Sequence, residues 1–428
     1  IMMDETTNTV LIKYTNLSTN QLNFKIRPKF SLRNHHHLNQ EGAWDRYDTI
    51  TEICQDSHCH FFKVKRISNQ LECYAWLQHG MIHEDYTVYR NQYYPWEAMR
   101  GYPGVEDLLC VASMNFSLKP NETDYLIFSD SPIEQTEELV ARIEKRYKKY
   151  PQPYDVPHKR KAEVKSKNEE EPESSILSSL DYEDNILFEH ENYLKILELC
   201  LNDFITNNDI VAGFPWFGAW GRDTMIVLDS VINMPKGAEF AWSVLKKYAG
   251  LRKEGLLPNM CSESGQEGNY NTMDASLWFI IRLFETVEKL NQKGTQKQKV
   301  ANWKEIIDIT EDTLNAILFK PNSNFFIRED GLLELCHSFA SATWMDAKVN
   351  DSPVTPRDGA PVEINALLYN ALCYYELMIE KYNELAPESK FYIINYEFME
   401  QKELLKNSFS KFWIGDYLAD RIYHDQVI

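Results

Sequence analysis

The sequence predicts a mixed β and all-α protein, an N-terminal β-sandwich followed by a helical domain. Three observations carry that expectation. Residues 1–130 run in short alternating apolar and polar stretches. Residues 151–185 are rich in Pro and charge and poor in large apolar side chains. From Phe188 onward apolar residues recur at helical spacing. A length of 428 residues suffices for two to four ordinary domains, and 43% hydrophobic with 25% charged residues is a globular composition. No apolar run reaches the ~18–20 residues of a membrane-spanning helix, and the most apolar stretch, Trp278 to Phe284, is interrupted by Arg282.

Taken in order, Thr9–Tyr14, Asn23–Ile26, Cys59–Val64 and Asp85–Tyr89 read as strands separated by Gly, Pro and Asn. Ser129–Tyr150 reads as a helix closing a sandwich domain over residues 1–150, with Ser131-Pro132 and Glu134 as start signals. Pro151, Pro153, Pro157, the run Lys159-Arg160-Lys161 and the run Glu169-Glu170-Glu171 mark residues 151–185 as a charged linker. In residues 186–428, Tyr193, Leu197, Cys200, Leu201 and Phe204 share one helical face. Further helices are expected near 223–234, 236–250, 273–291, 299–319, 360–383 and 397–412, with no strands between. The loops 207–222, 251–272 and 336–359 are rich in Gly, Trp, Arg, Asp and Asn, and loops of that length in a compact domain usually carry function.

The 64 acidic residues exceed the 45 Lys and Arg, for a net charge of −19. Such a chain repels nucleic acid and suits a neutral partner. The 8 cysteines are scattered and include no CxxC pair, so reduced thiols in a cytoplasmic protein are expected. Cys54, His58, Cys59 and His60, with His35, His36 and His37 upstream, match no zinc spacing and read as strand residues. No metal or organic cofactor and no membrane partner are expected. The chain opens on Ile1, which suggests a piece of a longer protein.

The three loops hold the chemistry. Gly213-Phe214-Pro215-Trp216-Phe217-Gly218-Ala219-Trp220-Gly221-Arg222-Asp223-Thr224 sets aromatic rings between glycines and ends on an Arg-Asp pair. Aromatic faces cover the apolar C–H faces of a sugar, and charged forks bind its hydroxyls. The structural alternative is that Asp223 caps a helix, Arg222 pairs with it, and the Trp residues fill core. Leu257-Pro258-Asn259 and then Gly268–Phe279 place Asp274 at a helix start, where it either complements the helix dipole or acts as a general acid. Trp344-Met345-Asp346-Ala347-Lys348 and Thr355–Asn365 crowd Trp, Asp, Lys, Arg and Glu together, with Glu363 entering a helix as ion-paired structure or as a site residue.

These three segments, Phe214–Thr224, Tyr270–Trp278 and Trp344–Asn365, resemble in order the catalytic domain of glycogen debranching enzymes of the amylo-α-1,6-glucosidase type. Upstream, Arg100-Gly101 followed by Glu106-Asp107-Leu108 resembles the β-sandwich that precedes that domain in bacterial members. The resemblance implies an (α/α)6 barrel and hydrolysis of single α-1,6-linked glucose residues on a glycogen or branched α-glucan partner. It makes Asp274 the general acid. Arg222 and Asp223 become clamps on the terminal glucose. Trp216, Phe217, Trp220 and Trp344 become pocket walls, and Asn271, Asp346, Arg357 and Glu363 become further sugar contacts. An inverting mechanism calls for a second carboxyl about 6.5–9.5 Å from the first. The family's general base is expected beyond Ile428, with the sandwich partial and the barrel incomplete at its C-terminal side. An exo-α-glucosidase of glucoamylase or trehalase type acting on another linkage, or an inactive glucan-binding fragment, remain the alternatives.

Overall fold

A computed structural model describes residues 1–4, 6–34, 37–40, 42–55, 60–148, 190–206, 209–214, 217–261, 268–387, 390–424 and 426–428. Two units divide the chain, Ile1–Asp203 and Phe204–Ile428, the first of β-sheets and the second mainly of helices. The expected linker over 151–185 lies outside the described residues, as do His35, His36, His58, Cys59, Pro215 and Trp216.

In the first unit the strands are β1 (Met2–Met3), β2 (Thr9–Thr15), β3 (Leu22–Ile26), β4 (Thr49–Gln55), β5 (His60–Arg66), β6 (Glu72–Leu77), β7 (Met81–Tyr93), β8 (Val105–Leu118) and β9 (Thr123–Ser129). They form two antiparallel sheets, in the orders β1-β2-β9-β6-β5-β4 and β3-β8-β7. Phe62, Val64, Ala75, Leu77 and Leu126 of the larger sheet share one core with Ile82, Leu109, Val111 and Met114 of the smaller. The opposite face of the larger sheet presents Leu11, Tyr74, Trp76 and Ile127 to Leu139 and Ile143. The latter two belong to a helix over Thr136–Tyr147, which follows a short helix, α1 (Pro95–Met99), and is α2. A sheet covered on both faces needs apolar residues at successive positions, so Tyr74-Ala75-Trp76-Leu77 of β6 does not alternate. The expected start of α2 near Ser129 is overturned because Ser129 still pairs with Thr9 and Tyr74 in the sheet.

Helix α3 (His190–Phe204) leads to the second unit, whose helices are α4 (Gly221–Ile232), α5 (Gly237–Leu251), α6 (Asp274–Leu290), α7 (Gln296–Phe319), α8 (Val362–Leu385) and α9 (Tyr396–Phe409). Helix α6 is buried almost all round and packs on α4, α5, α7 and α8. Helix α7 starts at a capping box, with Thr295 and Gln298 bonding each other's backbone N–H groups. The expectation of no strands in this half is corrected. Short antiparallel ribbons pair Val211–Gly213 with Phe217–Ala219, Phe325–Ile327 with Leu333–Leu335, and Ala360–Pro361 with Arg421–Tyr423. Ribbons of two or three residues are too short to display an alternating pattern.

Candidate active site

Helix α4 opens without a cap of its own, because Trp220 at its N-cap makes no side-chain bond. Asn259 supplies the acceptors instead. Its backbone carbonyl accepts from Gly221 N–H at 2.7 Å, and its side-chain Oδ1 accepts from Arg222 N–H at 3.3 Å. The Arg222 side chain then spreads over three acceptors. Its Nε donates to Asp274 Oδ2 at 2.7 Å, one terminal nitrogen to Asp346 Oδ2 at 2.6 Å, and the other to the Thr343 carbonyl at 2.6 Å.

Asp274, the first residue of α6, is 3% exposed, and its second oxygen accepts from the Ala275 N–H at 2.9 Å. Burial pushes its carboxyl above the ordinary aspartate value. Arg222 and the Ala275 N–H work against that rise, and the neighbouring Asp346 adds to it. Desolvation wins because a carboxylate loses its hydration on all sides, whereas the guanidinium divides its donors among three partners. Asp223 is raised by its surroundings in the same way, with Arg222 opposing. Solvent reaches Asp223, and Arg222 points to Asp274 and Asp346 instead. The structural alternative, in which Arg222 pairs with Asp223, therefore gives way to an Arg222 fork on two other carboxylates.

A second charged cluster sits at the start of α8. Buried Arg357 donates from Nε to Glu363 Oε1 at 3.1 Å and from a terminal nitrogen to Glu363 Oε2, and it lies 3.5 Å from Asp420 Oδ2. Next to it, burial would raise Asp358, but His337 at 2.9 Å and Arg421 hold its carboxyl below the usual range. The segment Ala340–Thr343 ties the clusters together. The Ala340 carbonyl accepts from Arg357 N–H at 2.9 Å, the Ala342 carbonyl from Met273 N–H at 2.8 Å, and the Thr343 carbonyl from Arg222.

Three aromatic candidates are described around these groups. Trp220 is partly buried and meets Phe217 edge-on at 6.2 Å. Phe217 and Trp344 are 41% and 59% exposed. Asn271 is exposed just ahead of Asp274. Trp216 lies outside the described residues. Among the described residues, no three His, Cys, Asp or Glu side chains converge as metal ligands would. Sequence reasoning missed the roles of Thr343 and Ala340, since a backbone carbonyl carries no residue signature. Asn259, in the run Leu257-Pro258-Asn259, carries no sign of its role in the sequence. Buried Asn259 Nδ2 and Thr272 Oγ1 have no hydrogen-bond partner among the described residues.

The family model described as Amylo-alpha-1,6-glucosidase matches residues 191–427, and the one described as Glycogen debranching enzyme N terminal matches residues 1–125. Among curated proteins, the chain is similar to the glycogen debranching enzyme of Saccharomyces cerevisiae, with 27% identity over 260 residues. That match covers 47% of this chain and 17% of the yeast protein. Among solved structures, a bacterial glucoamylase complexed with acarbose aligns at 12% identity and a TM-score of 0.41, over 95% of this chain and 53% of that one. A rhamnosidase from Klebsiella oxytoca with rhamnose bound aligns at 10% identity and 0.40, over 98% and 74%. The two structural likenesses are too distant to bear on the site.

Proposed function

The chain belongs to the amylo-alpha-1,6-glucosidase family, and on that premise we propose that its second unit removes single α-1,6-linked glucose residues from trimmed branches of glycogen. The reading takes residues 186–428 as part of an (α/α)6 glycosidase domain, joined by the charged linker to a sandwich over residues 1–150. The observation that carries it is a carboxyl buried at 3% exposure and raised in pKa, tied through Arg222 to the Thr343 carbonyl that precedes Trp344. A general acid must hold its proton until the leaving oxygen takes it, and desolvation favours the protonated form.

In this mechanism the terminal glucose packs on Phe217, Trp220 and Trp344, with Trp216 as a further wall. Its hydroxyls meet Arg222, Asp223, Asn271 and Asp346, with Arg357 and Glu363 completing the contacts. Asp274 gives its proton to the glycosidic oxygen as the bond to C1 breaks. Water attacks C1 from the opposite face as that bond breaks, giving up its proton to a base, and the configuration inverts. No described carboxylate is assigned as the base that activates this water.

The test is glucose release from phosphorylase-limit dextrin by the full-length gene product. Asp274→Asn is expected to lower the rate by about 10²–10⁴-fold, the usual share of a general acid. A rate near wild type would overturn the assignment. Parallel assays on isomaltose, maltose and trehalose identify the linkage.

A further inference from the structure

We propose that Asn259 is a positioning residue of this site, the cross-tie that fixes the Arg222 guanidinium against Asp274. The inference deepens the proposed function, and its catalytic consequence rests on that reading.

The segment Leu257-Pro258-Asn259 is anchored at both ends to the helices that carry the two groups. At one end the Leu257 N–H donates to Ser276 Oγ of α6 at 2.9 Å, two residues beyond Asp274. At the other, Asn259 receives the Gly221 and Arg222 N–H groups of α4. A third bond, from Asn259 N–H to the Asn269 carbonyl at 2.7 Å, holds the segment from the side. The first N–H groups of a helix have no partner within it, so an acceptor from elsewhere both satisfies them and fixes the helix end. Here the acceptor comes from another loop because Trp220 cannot cap.

Two details show that the fit is specific. A Cβ on Gly221 would run into the Pro258 carbonyl, so only glycine lets α4 approach this closely. The Asn259 amide orientation is set by its partner, since Oδ1 must face the Arg222 N–H. That leaves Nδ2 buried without a partner among the described residues, a loss that an Ala or Leu at this position would avoid. What the amide supplies in exchange is the Oδ1 acceptor for the Arg222 N–H.

The charged groups around Asp274 are Arg222 from α4 and Asp346 from the loop after Thr343. Arg222 favours the ionised form of Asp274 and Asp346 disfavours it. Loosening Arg222 therefore moves the Asp274 midpoint upward.

The experiment follows the Asp274 carboxyl carbon by NMR in the whole chain labelled at aspartate, the signal being identified by its loss in Asp274→Asn. Asn259→Ala is expected to raise the Asp274 midpoint by about one pH unit, as loss of an adjacent cation does. An unchanged midpoint in a folded Asn259→Ala protein overturns the proposal. If that variant does not fold, Ser276→Ala releases the other anchor, and an upward shift there supports the cross-tie while an unchanged midpoint rejects it. No sugar enters this measurement. A failure to hydrolyse limit dextrin would count against the proposed function and leave the cross-tie standing.

Discussion

Arg222 is the residue on which the second unit's electrostatics turn. It is 7% exposed and meets two carboxylates and a carbonyl with three different nitrogens. Only a planar fork reaches all three, because a lysine ammonium is a single point of charge. Arg222→Lys is therefore expected to lower unfolding stability by about 1–3 kcal/mol in a urea titration, the cost of leaving buried partners unmet. A change within ~0.5 kcal/mol, the range of neutral surface substitutions, would show the fork to be dispensable. Asp274 has the opposite sign. Its folded pKa lies above the unfolded value, so ionising it costs stability once the pH passes the unfolded value of 3.8. Asp274 in turn helps to raise the Arg222 guanidinium, so the same carboxylate that burial disfavours is the anion that the buried cation requires. Arg222, Asp274 and Asp346 were all legible in the sequence as candidates. Their pairing was not, because it joins positions 52 and 124 residues apart, whereas the adjacent Asp223 suggested the simpler partner.

Among the elements, the helices of the second unit lay close to where apolar spacing put them. Helix α6 was expected over 273–291 and runs Asp274–Leu290, and α7 ends at Phe319 as read. Those segments are long and periodic. The elements missed are the paired ribbons, whose partners come from separate stretches of chain and leave no local pattern. The α4–α5 connection shows how tightly these helices are joined. Lys236 adopts a left-handed φ of 60° and Gly237 follows at the first position of α5. A Cβ on Gly237 would collide with the Val231 carbonyl, while one on Gly250 near the end of α5 meets open space. The two glycines should respond oppositely to alanine. Gly250→Ala is expected to stabilise by about 0.5 kcal/mol through helix propensity, and Gly237→Ala to destabilise by about 1–3 kcal/mol through forced backbone movement. Chemical denaturation of both variants reads the difference, and a shared sign would refute the close contact at Gly237.

At the scale of the whole molecule, the sequence made the change from β to helical architecture legible because each half keeps its own periodicity. It could not show which carboxylates the fold depends on, since 64 acidic residues look alike until their partners are known. In the first unit two of them fasten α2 to the sheet. Burial opposes ionisation of Asp4, yet the Arg142 fork and the Thr6 and Thr7 hydroxyls hold it at about 2. Burial likewise opposes Glu144, yet Lys13 of β2 at 2.8 Å and the Tyr125 hydroxyl of β9 at 2.7 Å hold it at about 2. Both folded values lie below the unfolded 3.8 and 4.5, so their contribution is present above pH 4.5 and is lost as pH falls toward 2. Over the same interval the acidic surface loses its charge while 45 Lys and Arg and 11 His remain, so the net charge turns positive and self-repulsion adds to the loss. Helix α2 should accordingly be the part of the first unit that opens as pH falls. Hydrogen exchange over residues 136–147, corrected for the intrinsic rate at each pH, is expected to rise between pH 5 and pH 3. Glu144→Gln should exchange faster than wild type at pH 6 and differ less from it at pH 3, where the carboxyl of the opened chain is protonated and part of the linkage is gone. Equal protection of α2 at pH 5 and pH 3 would mean that its packing against Leu11, Tyr74, Trp76 and Ile127 holds it without the carboxylates.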